Sequence, residues 1–184
     1  MKNRNTLSAL FAVLILSISS ANAGVLIEPV IGYNLKFDFK DDSGTEKGMG
    51  TSFGGRLGYQ NLGLQLGLDY LKSSIKMDDD AYEENVSMGE WAAFVGYEFP
   101  VLLRVYAGYI FSATAETESG GSKVEFSEGS GSKLGVGFTG LPFVVVNFEY
   151  RTGNFEEGKS GGLTGDADLD YKAYMLSLSL PINL

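Results

Sequence analysis

Apolar and polar residues alternate with a period of two along most of this chain, and the pattern is cleanest where the chain ends. Tyr174, Leu176, Leu178, Leu180, Ile182 and Leu184 share one face, while Met175, Ser177, Ser179, Pro181 and Asn183 share the other. A helix would scramble the two sets, so this stretch is a strand. A long, apolar, uncharged strand at the margin of an open sheet is an aggregating edge. The expected solution is a sheet closed into a barrel, with the first strand pairing to the last.

Seven earlier strands show the same period. The first, Val25 to Phe39, places Val25, Ile27, Pro29, Ile31, Tyr33, Leu35, Phe37 and Phe39 on its apolar face. The others run from about Ser52 to Gln60, Leu62 to Tyr70, Glu90 to Phe99, Val101 to Phe111, Lys133 to Thr139 and Val144 to Arg151. Turns of a few residues alternate with loops at 40–48, 77–85, 116–132 and 152–170. The fold class expected is all-β: an eight-stranded antiparallel up-and-down β-barrel. An even strand number, short turns at one end and long loops at the other are the pattern of bacterial outer-membrane barrels, with both termini in the periplasm.

A soluble lipocalin-like barrel would share the period, so the faces must decide. The apolar faces carry almost no charge through the middle of each strand, which suits lipid better than water. Aromatic residues gather near their ends, with Phe37, Phe53, Tyr70, Trp91, Tyr109, Phe111 and Tyr150 toward the loops and Tyr59, Tyr97, Phe99 and Phe143 toward the turns. Such girdles mark the two interfaces of a membrane. Glycines concentrate on the charged faces, as the crowded interior of a narrow barrel requires.

Residues 1–23 read as a secretory signal peptide. Lys2 and Arg4 precede the apolar run Leu7 to Ile18, and Ser19-Ser20-Ala21-Asn22-Ala23 supplies a small-x-small cleavage site before Gly24. Removing 23 residues from 184 leaves 161, enough for one domain at 24–184. That part has 12 Lys and Arg against 23 Asp and Glu, a balance of −11, which argues against nucleic acid as a partner. With no Cys there is no disulfide, so stability rests on the ladder and on packing.

The eight-strand alternation, the loop asymmetry and the closing strand together resemble the small outer-membrane barrels, meaning the OmpA transmembrane domain, OmpX and OmpW-like proteins. The resemblance implies outer-membrane lipid and lipopolysaccharide as surroundings and the barrel-assembly machinery as a partner during insertion. Family barrels usually end in Phe or Trp, whereas this chain ends in Leu184. Several enzymes that resemble this architecture, among them lipid A deacylases, palmitoyl transferases, phospholipases and omptin-like proteases, rely on a histidine. This chain has none, so their mechanisms do not transfer, no enzymatic activity is expected, and no cofactor is implied.

Charges on the faces assigned inward are the main candidate constellation. The acids are Glu28, Asp69, Glu90, Glu98 and Glu149, and the bases are Lys36, Arg56, Arg104, Lys133 and Arg151. Unpaired, they would be costly in a narrow tube, so a paired network is expected. It could line a gated pore, as in an OmpW-like passive channel for small, mostly apolar molecules, or form a closed polar core. An eight-stranded bore is only just wide enough to be filled by its own side chains, which favours the closed core and a structural or surface-interaction role through the acidic loops. Asp166-x-Asp168-x-Asp170 and the Asp78-Asp79-Asp80 stretch with Glu83 and Glu84 invite a metal reading, but both fit solvated surface loops better. Pro29 and Pro181 lie near the periplasmic ends of the first and last strands, where each removes a ladder donor. They either weaken the seam between those strands or sit harmlessly at the rim.

Overall fold

The computed structural model describes residues 24–41, 44–77, 85–119, 122–160 and 163–184. The expected leader at 1–23 and most of the 77–85 loop, with its Asp78-Asp79-Asp80 stretch, Glu83 and Glu84, lie outside them. Eight strands follow one another as antiparallel neighbours: β1 (Gly24–Asp41), β2 (Gly44–Asn61), β3 (Leu64–Met77), β4 (Asn85–Phe99), β5 (Leu103–Ser119), β6 (Ser122–Phe138), β7 (Val145–Ser160) and β8 (Leu163–Ser179). A two-residue piece, β9 (Ile182–Asn183), continues β8 past Pro181. Because β1 pairs with β2 on one side and with β8 and β9 on the other, the sheet closes and no edge remains.

Closure bears directly on the seam. Val30 opposes Ser179, and the same register resumes at Ile27 opposite Ile182 and Leu26 opposite Asn183. Leu180 N–H donates to Pro29 O at 3.1 Å, and Val25 and Leu184 exchange both of their backbone bonds at 3.0 Å. Hydrogen-bonded pairs alternate with non-bonded ones in an antiparallel ladder, so Pro29 loses one bond to Leu180, while the missing donor of Pro181 points away from β1. Pairing between the first and last strands thus runs past both prolines, with one donor missing at Pro29.

The strands are longer than the hydrophobic pattern suggested. Most of residues 40–48, 116–132 and 152–170, expected as loops, continue the ladder as projecting hairpins; β5, for example, pairs with β6 as far as Ser119 opposite Ser122. Above the lipid the outer face meets water, so apolar alternation ceases although the backbone bonds persist. From Tyr174 up to Leu163, β8 climbs roughly 25–30 Å beyond the lipid-facing band, at about 3.4 Å per residue and a tilt of about 40°. At the other end the turns are tight. Leu62 and Gly63, expected in the third strand, instead make a two-residue turn with φ of 49° and 82°, the doubly left-handed geometry that matches strand twist.

Two bulges reverse the alternation at the level of the upper girdle, and a third, at Ser127 and Glu128 of β6, does so higher up, where Phe126 and Val124 turn in. In β1 the register shifts between Asn34 and Phe37, so that Leu35 and Lys36 both face outward and Phe37 and Phe39 turn in. The side chain of Lys36 is 51% exposed, whereas Phe37 is fully buried. In β5, Phe111 and Ser112 form the same device and bring Ala113 and Ala115 inside. A pattern carried forward at period two misses this, because a bulge places two consecutive residues on one face. Phe37 therefore leaves the expected outer girdle, and Lys36 leaves the expected interior. The rest of the upper girdle faces out, including the Tyr70–Trp91 pair with ring centroids 4.7 Å apart and the Tyr150–Tyr174 pair at 5.1 Å.

The absence of cysteine makes the bulge easy to test. In the folded protein in lipid, a hydrophilic maleimide should modify a Lys36→Cys variant and leave Phe37→Cys unmodified. Equal labelling of the two would contradict the reversal.

Candidate functional site

Below the bulges, β1 to β8 aim their polar residues at the axis, where the charges meet. Arg104 from β5 donates to both oxygens of Glu28 from β1, at 2.9 and 2.7 Å. Its Nη2 also donates to Asn147 Oδ1 at 2.6 Å, and Asn147 in turn donates to Ser179 Oγ at 3.0 Å. Arg56 from β2 carries the network upward. Its Nη1 lies 3.7 Å from Glu28, its Nε donates to Asp69 at 3.0 Å, and its Nη2 donates to Glu149 at 3.3 Å. The guanidinium carbon of Arg56 stands 4.0 Å from the centre of the Tyr106 ring, a cation–π contact inside the bore.

Lys133 joins from β6, bonded to Asp69 and 3.7 Å from Glu149. Arg151 closes the upper tier: its Nε lies 3.5 Å from Glu149, its Nη1 bonds Glu90, and its Nη2 donates to Asn34 Oδ1 at 2.6 Å. Asn34 donates to Ser52, which shares a hydrogen bond with Ser73 at 2.7 Å. The Tyr171 hydroxyl donates to Glu90 at 2.8 Å.

Four acids, Glu28, Asp69, Glu90 and Glu149, thus meet four bases, Arg56, Arg104, Lys133 and Arg151, and all eight are buried. The cluster is neutral, and each charge has a partner of opposite sign, the condition under which burial is tolerated. The crevice bordered by Asp69, Glu90, Lys133, Glu149 and Arg151 has no room for a water molecule. Glycine makes the close packing possible, since a Cβ on Gly135 would collide with the Tyr106 ring.

Two residues expected in this network stand apart from it. Lys36 is outside, paired with Asp38 at 2.6 Å, because of the bulge. Glu98 is half-buried at the periplasmic end of β4, below the network. One acid and one base leave together, so the balance is kept. Pro29 and Pro181 lie in the wall at the seam and take no part. Among residues the charge pattern did not single out, Asn34, Ser52, Asn147 and Ser179 were legible as uncharged polar residues on inward faces. Tyr171 was obscured because it precedes the clean alternation of the last strand.

A second interior layer lies above the charges. Phe37, Ile75, Met88, Ile110, Ala113, Phe155 and Tyr171 are buried in one apolar cluster that fills the bore. Tyr171 links the layers, with its ring 5.8 Å from Phe37 and 5.5 Å from Phe155 and its hydroxyl on Glu90. Asp166, Asp168 and Asp170 are exposed on the projecting part of β8, and their two-residue spacing along a strand spreads them roughly 7 Å apart. Among the described residues, no group of three or more such ligands is placed to hold a metal ion.

A closed antiparallel barrel with an apolar outer belt, aromatic girdles and a neutral buried interior is that of a small outer-membrane protein. The chain belongs to the outer membrane protein beta-barrel domain family, which matches residues 7–181, and the family implies a Gram-negative outer membrane. Its fold is similar to that of Neisserial surface protein A, with a TM-score of 0.61 and 16% identity over 85% of this chain and 96% of that one. It is also similar to Ail, the attachment invasion locus protein of Yersinia pestis, solved with the heparin analogue sucrose octasulfate. That match has a TM-score of 0.56 and 12% identity over 86% of this chain and 99% of the other. No curated protein matches the chain by sequence.

The pairing predicts a stability pattern. Arg104→Met should destabilise the barrel by about 3–5 kcal/mol in urea unfolding from lipid vesicles, because Glu28 is left charged and buried. The double variant Glu28→Gln/Arg104→Met should recover most of that loss. A single variant as stable as the parent would mean that the pair is not desolvated.

Proposed function

We propose that this protein is a closed, non-enzymatic outer-membrane barrel whose working part is the acidic set of hairpins projecting outside the cell. The observation that carries this reading is the doubly filled bore, with a neutral ion-pair network beneath an apolar layer. An ion crossing it would have to break the Glu28–Arg104 and Glu90–Arg151 pairs and then pass between Phe37, Ile75 and Phe155. The rival reading, a passive channel for small apolar molecules, requires both layers to open.

Charge supports a surface role. Setting aside the four paired acids, the four paired bases and Glu98 leaves 18 acids and 8 bases in residues 24–184, all in the extracellular strand ends and the sequence joining them. The described strand ends hold 12 of these acids and all 8 bases, a balance of −4, and the other six acids belong to the sequence that joins them. That end of the protein repels sulfated polyanions of the kind held by Ail and suits a cationic partner surface. Export through a leader cleaved before Gly24, and insertion by the barrel-assembly machinery using Tyr174 to Leu184, complete the proposal.

Planar-bilayer recording is the direct test. Protein whose folding is verified by a heat-dependent shift in gel mobility should give no discrete conductance steps. Reproducible unitary currents would overturn the closed-barrel reading in favour of the channel.

A further inference from the structure

We propose that the outer mouth of the barrel is a blind binding site for a small apolar molecule with a cationic or neutral polar end. A cavity of about 250 Å³ lies inside the projecting part of the barrel, above the apolar layer and open to the outside. Phe39 of β1, Met77 of β3, Val86 of β4, Val124 and Phe126 of β6 and Leu169 of β8 form its walls. The wall is thus shared around the ring of strands and the cavity lies on the axis. At its edge stand Asp41, Glu46 and Thr117.

The floor is solid. Phe126 leans on Phe155 with ring centroids 6.2 Å apart, Phe155 on Tyr171 at 5.5 Å, and Phe37 packs against Phe39 at 4.8 Å. This aromatic run joins the cavity wall to the hydroxyl that Glu90 accepts, so the cavity rests on the charge network without opening into it. A ligand entering from outside meets a dead end.

Three features define that ligand. The projecting hairpins lie beyond the lipid, so these apolar walls face an opening to water, and covering them with an apolar solute is favourable. The space exists because β5 places only Ala115 and Thr117 where a larger side chain would fill it. An apolar cavity of roughly 150 Å³ accepts a benzene ring, so 250 Å³ suits about two fused rings or a branched chain of similar bulk. The carboxylates of Asp41 and Glu46 at the edge, on described strand ends with a balance of −4, favour a cationic or neutral polar end and disfavour an anionic one.

Equilibrium dialysis of the full barrel in lipid nanodiscs against empty nanodiscs tests the proposal, with 1-naphthylmethylamine and 1-naphthoate as probes at neutral pH and low salt. The amine should show one saturable site per barrel, and the carboxylate should bind about tenfold more weakly. Ala115→Trp fills the cavity and should abolish the saturable binding. Thr117→Trp, which narrows the mouth without entering the packed layer, should do the same if the first variant does not fold. Uptake of the amine no greater than by empty nanodiscs, equal binding of the carboxylate, or undiminished binding by folded Ala115→Trp or Thr117→Trp would each overturn the proposal.

Discussion

Hydrocarbon supplies no water to satisfy a peptide group, and that constraint governs the molecule. It demands a sheet without edges, and with eight strands the resulting bore is so narrow that side chains must fill it. Polar residues placed inside must then pair among themselves. Arg104 gripping Glu28, Arg56 bridging Glu28 to Asp69 and Glu149, and Arg151 joining Glu149 to Glu90 meet that demand with one connected, neutral set. Uncharged partners complete it, with Asn147 and Asn34 accepting from arginine groups that the carboxylates leave available.

The same sheet solves a second problem at a second level. Below the upper aromatic girdle the barrel is apolar outside and charged within, whereas above it the outer face is charged and the interior apolar. The changeover falls at the level of Tyr70, Trp91 and Tyr174, where lipid gives way to water. In β3, β4 and β8 composition alone makes the switch, since Tyr174 is followed outward by Lys172 and Asp170 while Tyr171 and Ala173 turn in. In β1 and β5 the bulges at 35–36 and 111–112 make it by inverting the parity of the strand. One continuous ladder thus joins an inside-out barrel in the membrane to a conventional one above it, and the apolar upper interior seals what the charges below have filled.

The membrane half was legible because lipid imposes a strict period of two. Leu176, Leu178, Val95 and Val105 could face only outward, and with their faces assigned Glu28, Arg56, Asp69, Glu90, Arg104, Lys133, Glu149 and Arg151 could point only inward. Legibility ended where that constraint ended. Ser, Gly and Glu in 116–132 read as a loop because their side chains carry no lipid signal, although most of 116–119 and 122–132 remains in the ladder. Phe37 and Phe39 were misassigned since a bulge requires no distinctive residue: Leu35 and Lys36 look like one more alternation. Lys36 was misplaced for the same reason. The apolar upper layer depends on that inversion and on strand extensions with weak patterns of their own, so no reading of the periodicity alone could assemble it.

The central claim is that the arginine network is dry and fixed. Solvent exchange of the arginine side-chain protons, followed by nitrogen-15 NMR in lipid nanodiscs, addresses it directly. The account predicts separately resolved, slowly exchanging Nη protons for Arg104 and Arg151, held by Glu28, Asn147, Glu90 and Asn34. Averaged resonances exchanging with water as fast as those of a free arginine would contradict it.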